Sequence, residues 1–123
     1  MTVSAILKHK GHDVATVPPG ESVAGVVSQL STRQIGAVVV KQDGGELLGI
    51  VSERDIVHAL AEHGAAALDM TAEQLMTRGV HTVTRSTTVI EAMTLMTAGR
   101  FRHLPVVENG AMLGIISIGD VVK

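Results

Sequence analysis

Apolar positions along this chain alternate between two spacings, and the whole alternation occurs twice. Val23, Val26, Val27 and Leu30 recur every three or four residues, which predicts a helix with one apolar face. Ile35-Gly36-Ala37-Val38-Val39-Val40 follows as an unbroken β-rich run. A turn signal at Asp43-Gly44-Gly45 then leads into Leu47-Leu48-Gly49-Ile50-Val51, the pattern of a hairpin. A second helical stripe, Ile56, Val57, Leu60 and Ala61, ends at Gly64. The order then returns. Val89, Ala92, Met93 and Met96 form a stripe, opened by a Thr88–Glu91 capping box. Phe101-Arg102-His103-Leu104-Pro105-Val106-Val107, a turn at Asn109-Gly110, and Met112-Leu113-Gly114-Ile115-Ile116 complete the copy. The offset between copies is 66 residues before the turn and 65 after it, so the second hairpin is one residue shorter.

Before each first helix stands a strand end, a polar turn and a hydroxyl cap: Val17-Pro18-Pro19-Gly20-Glu21-Ser22-Val23, and Val83-Thr84-Arg85-Ser86-Thr87-Thr88-Val89. Each repeat therefore reads β-α-β-β-α over roughly 60 residues, a size that is marginal alone. The expectation is an α+β fold in which two repeats, related by a pseudo-twofold axis, pack their sheets together in one globular module. The first repeat, with its lead segment, takes residues 1–68. The second takes 69–123 and opens with a short linker helix from Thr71 to Met76, capped by Thr71. The last helix of the first repeat runs from about Arg54 to His63. Its counterpart reaches Lys123 after one turn, so this helix is expected to be truncated or covered by a partner.

The chemistry lies where strand meets helix. Gly49-Ile50-Val51-Ser52-Glu53-Arg54-Asp55-Ile56-Val57 is echoed by Gly114-Ile115-Ile116-Ser117-Ile118-Gly119-Asp120-Val121-Val122. A helix start offers unpaired N–H groups and partial positive charge to an anion. An Asp three residues after the Ser adds an acceptor for a vicinal diol, and phosphate with diol describes a nucleotide. Ser-x-x-Asp can also serve only as an N-cap. Three features favour a ligand: Asp is short for the reciprocal half of a capping box, the pattern stands at both equivalent places, and Gly49, Gly114 and Gly119 leave space near the backbone.

Composition narrows the classes. Apolar residues make up 46% of the 123 and charged residues 18%, as in a packed globule. The formal charge is −2 with no Lys/Arg run, which argues against a nucleic-acid surface. Phe101 is the sole aromatic, so base-stacking platforms are not available. No apolar run reaches the ~18 residues of a membrane span, and Met1 to Lys8 lacks the features of a signal peptide. With no cysteine, thiol catalysis and disulfides drop out, and a cytoplasmic location is the expectation. His9-x-x-His12 and His58/His63 lack a third ligand at fixed spacing, so no metal is expected. The six methionines read as core filler. No nucleophile elbow, Walker motif, Gly-x-Gly-x-x-Gly or acid/base carboxylate pair is present, so the chain is not expected to be an enzyme.

The doubled βαββα, the His103-Leu104-Pro105-Val106-Val107 strand and the two Gly-Ile-Val/Ile-Ser-x-x-Asp segments resemble tandem cystathionine-β-synthase (CBS) domains, a Bateman module. Arg100 to Val106 and Ser117 to Lys123 are similar to stand-alone bacterial two-CBS signal-transduction proteins. The resemblance implies a sensor of adenine nucleotides (AMP, ADP, ATP, NAD(H) or S-adenosylmethionine), AMP foremost. It also implies a disc-shaped homodimer read by an unknown effector protein. Carried over by position, Ser52 and Ser117 would meet phosphate, and Asp55 and Asp120 would hold ribose hydroxyls. Val14, Ala15 and Thr16, with Val80, His81 and Thr82, would contact adenine through backbone groups. Ile35, Gly36 and Ala37, with Arg102, His103, Leu104 and Pro105, would line the opposite wall. The copies differ: Arg102 and His103 can face phosphate in the second, while the first has Arg54 where the second has Gly119. The two sites are therefore expected to bind differently.

Overall fold

The computed structural model describes residues 1–122; Lys123, the end of the second Ser-x-x-Asp segment, lies outside the described residues. Contacts divide the chain into two compact units. A central unit spans Ala15–Val80, and a terminal unit joins Met1–Val14 to the chain from His81 onward.

In the central unit, β1 (Thr16–Val17), β2 (Ala37–Lys41) and β3 (Leu47–Ser52) form one sheet in that order, β1 parallel and β3 antiparallel to β2. Helices α2 (Val23–Arg33) and α3 (Glu53–His63), a 3-10 helix (Gly64–Asp69) and α4 (Ala72–Leu75) complete it. The core joins Val38, Val40 and Val51 of the sheet to Val23, Val26 and Leu30 of α2. Each helix start has a local cause. Ser22 accepts from the Gly25 N–H, and Thr71 and Gln74 form a capping box on α4. The expected linker helix is therefore present.

The terminal unit contains α1 (Val3–Lys10), α5 (Val89–Gly99), the antiparallel pair β4 (His103–Glu108) and β5 (Ala111–Ser117), and α6 (Ile118–Val122). Thr88 and Glu91 make the capping box expected for α5. Asn109 and Gly110, at φ 51° and 77°, form the tight turn of the hairpin. Val83 bridges Val106 in parallel, as Val17 pairs with Val40 in the central unit. Both hairpins carry a register shift at the same place, Val40/Lys41 and Val106/Val107.

Helix α1 was not expected from the repeat. Val3, Ile6 and Leu7 make its buried face, Lys8, His9 and Lys10 lie at its negative end, and Gly11, at φ 100°, closes it with an N–H to Leu7 O. Its entry matches that of α4. Met1-Thr2 and Met70-Thr71 precede the two helices, with Thr2 bridging Thr88 and Thr71 bridging Ser22. Met1 O accepts from Val89 N and Met70 O from Val23 N, at 3.0 and 2.8 Å. The internal repeat thus includes a lead helix, and each lead helix belongs to the unit of the other repeat. This partition cuts the chain differently from the linear division at 68/69.

Three expected features turn out otherwise. On α3 the buried residues are Ile56 and Ala59, whereas Val57, Leu60 and Ala61 face out, Val57 at 61% exposure. On α5, Ala92 and Met96 are buried while Met93 is exposed. The space at two of the glycines is filled by the chain itself. A Cβ on Gly49 would stand 2.7 Å from Thr77 O and 2.8 Å from Met76 Sδ, and one on Gly114 would stand 2.7 Å from Leu7 Cδ2. Gly119 alone of the three would take a Cβ without displacing a neighbour, its nearest atom being Ser117 Oγ at an ordinary contact distance of 3.6 Å.

Candidate functional site

In the central unit, the parallel and antiparallel pairings bring the start of β1, the start of β2 and the end of β3 to one edge of the sheet. Ala37 pairs with Ser52, Gly36 O accepts from Glu53 N at 3.0 Å, and Ala15 O accepts from Val39 N at 2.9 Å. Ala15, Thr16, Gly36, Ala37, Ser52, Arg54 and Asp55 are thus gathered there. Ala15 and Ala37 are buried, whereas Thr16 and Arg54 are exposed. Ile35 goes elsewhere. Its side chain packs with Val27, Leu30, Ile56 and Val57 around a groove of about 290 Å³ between α2 and α3.

The terminal unit repeats the arrangement. His103 pairs with Ser117, Arg102 O accepts from Ile118 N at 2.8 Å, and Val83 N donates to Pro105 O at 3.0 Å, which places Thr82 at the same edge. Leu104 is fully buried and Pro105 buried, so only Arg102 and His103 of that run present side-chain surface. His81 lies against Phe101, ring centroids 4.7 Å apart. Val14–Ala15 and Val80–His81 are the two places where the chain passes from one unit to the other.

Both Ser-x-x-Asp segments form capping boxes. Asp55 Oδ2 accepts from Ser52 N at 2.8 Å, and Asp120 Oδ2 accepts from Ser117 N at 2.7 Å. Ser52 Oγ and Ser117 Oγ return the bond from Asp55 N and Asp120 N, each at 3.3 Å. The expectation that Asp is too short is therefore corrected: the extended cap residue brings its own N–H down to the carboxylate. With the first helical N–H given to Gly36 O or Arg102 O, the first turn keeps a single N–H, that of Arg54 or Gly119, outside these pairings.

The two carboxylates differ in their second partner. Asp55 Oδ1 receives the Thr77 hydroxyl at 3.4 Å. Asp120 Oδ2 receives the Lys10 ammonium at 2.7 Å, and the same ammonium donates to Ile115 O at 2.8 Å. Burial opposes ionisation of Asp120, but hydrogen bonds from Lys10 and the Ser117 N–H, together with the Lys10 charge, hold its carboxyl below the usual value. His12 Nδ1–H donates to Leu113 O at 2.8 Å, fixing the chain after α1 along β5. Lys10 and Thr77 were missed by sequence reasoning. The basic last turn of α1, read together with its Val3-Ile6-Leu7 face, was the available signal for Lys10.

Comparison with known proteins adds four findings. The CBS domain family model matches residues 3–62 and 72–123. The structure is similar to that of the CBS-domain containing protein ATU1752 from Agrobacterium tumefaciens, with 47% identity, 100% and 98% of the two chains covered, and a TM-score of 0.97. It is also similar to CBSX2 in complex with AMP, with 27% identity, 98% and 92% coverage, and a TM-score of 0.78. Among curated proteins, the mitochondrial CBS domain-containing protein CBSX3 of Arabidopsis thaliana is 34% identical over 99% of this chain. The chain spans 63% of that protein's length. Among the described residues, no helix is long and apolar enough to cross a membrane.

Proposed function

Because this chain belongs to the CBS-domain family, we propose that it is a regulatory module whose two repeats bind adenine nucleotides. Occupancy is then transmitted through the conformation of a homodimer to an effector protein. AMP is the foremost ligand, in keeping with the AMP bound to CBSX2; ATP, NAD(H) and S-adenosylmethionine share its adenosine. The observation that carries this reading is the gathering, in each unit, of Ser-x-x-Asp with the starts of two neighbouring strands. In this reading Ser52 and Ser117 face phosphate, and Asp55 and Asp120 take ribose hydroxyls. The backbone of Val14 to Thr16 and of Val80 to Thr82 reads adenine. Gly36 and Ala37, with Arg102 and His103, form the opposite wall, and Arg54 or the open approach over Gly119 sets how much phosphate each site accepts. The exposed Val57 and Leu60 of α3 and Ile90 and Met93 of α5 support association of two copies, since they leave apolar surface on a helix face.

Calorimetric titration with AMP tests the reading. A carboxylate–hydroxyl bond contributes about 1.5–3 kcal/mol, so Asp120→Asn, which keeps the side chain's size, weakens AMP roughly ten- to a hundredfold. Unchanged affinity in both Asp55→Asn and Asp120→Asn would remove the carboxylates from the site.

The reciprocal capping of both Asp side chains favours one other reading, a ligand-free dimerisation module in which Ser-x-x-Asp only starts a helix. Heat-denaturing freshly purified protein separates the two. Adenine absorbance in the supernatant supports the sensor, and the lack of Trp and Tyr keeps the background low.

A further inference from the structure

The terminal unit has a cavity of about 540 Å³ lined by Met1, Ala5, Ile6, His9, Lys10 and Asp120. Its volume is that of a small-molecule site, and its wall combines three apolar side chains with a carboxylate, an ammonium and an imidazole. From this geometry we infer that Lys10 is the specificity-determining residue of the Asp120 site: it reads the phosphate, so that this unit takes phosphorylated nucleosides in preference to neutral ones. The inference rests on the nucleotide-binding reading above and goes beyond it in assigning a role to α1.

Lys10 Nζ carries three donors. Two are spent on Asp120 Oδ2 and Ile115 O, at 2.7 and 2.8 Å, and the side chain as a whole remains about one-third exposed at the cavity wall. The Ile115 carbonyl anchors the ammonium whether or not Asp120 is shared with a ligand diol. A phosphate beside the diol then gains a fixed cation without the ordering of a loose side chain. His9, one residue earlier on α1, lines the same wall and adds a second donor. A nucleoside lacks the group that Lys10 reads, yet still competes with Lys10 for Asp120. The central unit is built otherwise. Asp55 receives a neutral hydroxyl from Thr77, in the segment that follows the matching lead helix.

The test compares AMP with adenosine by calorimetry on the whole chain, using wild type, Lys10→Met and Lys10→Arg. Lys10→Met keeps the stem and the helix-forming character of the last α1 position, and circular dichroism checks the fold. The expected result is a roughly ten- to a hundredfold loss of AMP affinity at one of two sites, with adenosine not weakened and, once Lys10 no longer competes for Asp120, bound as well or more tightly, and with AMP restored by Lys10→Arg. In wild type, AMP binding at that site weakens with added salt while adenosine binding does not, a readout that needs no variant. Parallel losses for AMP and adenosine, unchanged or tighter AMP binding in Lys10→Met, or equal salt dependence of the two ligands would each overturn the assignment of Lys10 while leaving the nucleotide reading in place. Absence of AMP binding to wild type at millimolar concentration would overturn both.

Discussion

Substituting Gly49 by Ala probes what the glycine beside each Ser-x-x-Asp is for. The new methyl carbon would stand 2.7 Å from Thr77 O and 2.8 Å from Met76 Sδ. The thioether can rotate away, but the Thr77 carbonyl is held in place. Ile50 N donates to it at 3.2 Å, and Thr77 N donates back to Ile50 O at 2.8 Å. Relief therefore requires the segment after α4 to move off β3, which loosens both bonds and the Thr77–Asp55 contact. Overpacking of this kind costs about 1–3 kcal/mol, and each backbone hydrogen bond adds about 1 kcal/mol. A destabilisation of about 2–3 kcal/mol corresponds to a fall in melting temperature on the order of 10 °C for a domain of this size. The assay is thermal unfolding followed by circular dichroism. Gly20→Ala is the control, because a Cβ there meets nothing within 4 Å; it should be neutral or stabilising by up to about 1 kcal/mol. If Gly49→Ala melts with wild type and instead loses AMP affinity, the glycine serves ligand space and the packing account is wrong.

Gly114→Ala tests the same logic in the terminal unit, where the obstacle is the end of the buried Leu7 side chain. A side chain yields more readily than a carbonyl, so the loss should be smaller than at Gly49, and a larger loss in thermal melts would contradict this ranking. Thr88→Ala removes the hydroxyl that receives Glu91 N at 3.0 Å and should cost about 1 kcal/mol in urea unfolding, with Thr88→Ser restoring most of it. Asp120 is held below its ordinary value in the folded chain, so its contribution is complete above the unfolded pKa, about 3.9, and is lost as pH falls through the folded one. Melting temperature against pH should therefore drop on the acid side of pH 4, less steeply in Lys10→Met; identical acid limbs would show that the Lys10–Asp120 pair adds no stability.

Much of the architecture was determined by the one-dimensional pattern. The repeated alternation of 3.6-residue stripes and β-rich runs, the Asn109-Gly110 turn and the Thr88–Glu91 and Thr71 caps are local preferences that act within a few residues. The coming together of Ser52 with Ala37 and of Ser117 with His103 also follows, because a hairpin register and a parallel neighbour fix which strand ends meet. What only the tertiary structure decided involves partners far apart in the chain. Nothing near Asp120 announces Lys10, 110 residues away, and nothing near Gly49 announces Thr77. The face that α3 buries, with Ala59 in and Val57 out, depends on where the sheet lies and not on the spacing of apolar residues. The lead helices illustrate the limit most plainly. Their Met-Thr starts are legible in the chain, but α1 completes the unit of the second repeat, and α4 that of the first, because the strands with room for Leu7 and for Met76 and Thr77 are the ones bearing Gly114 and Gly49.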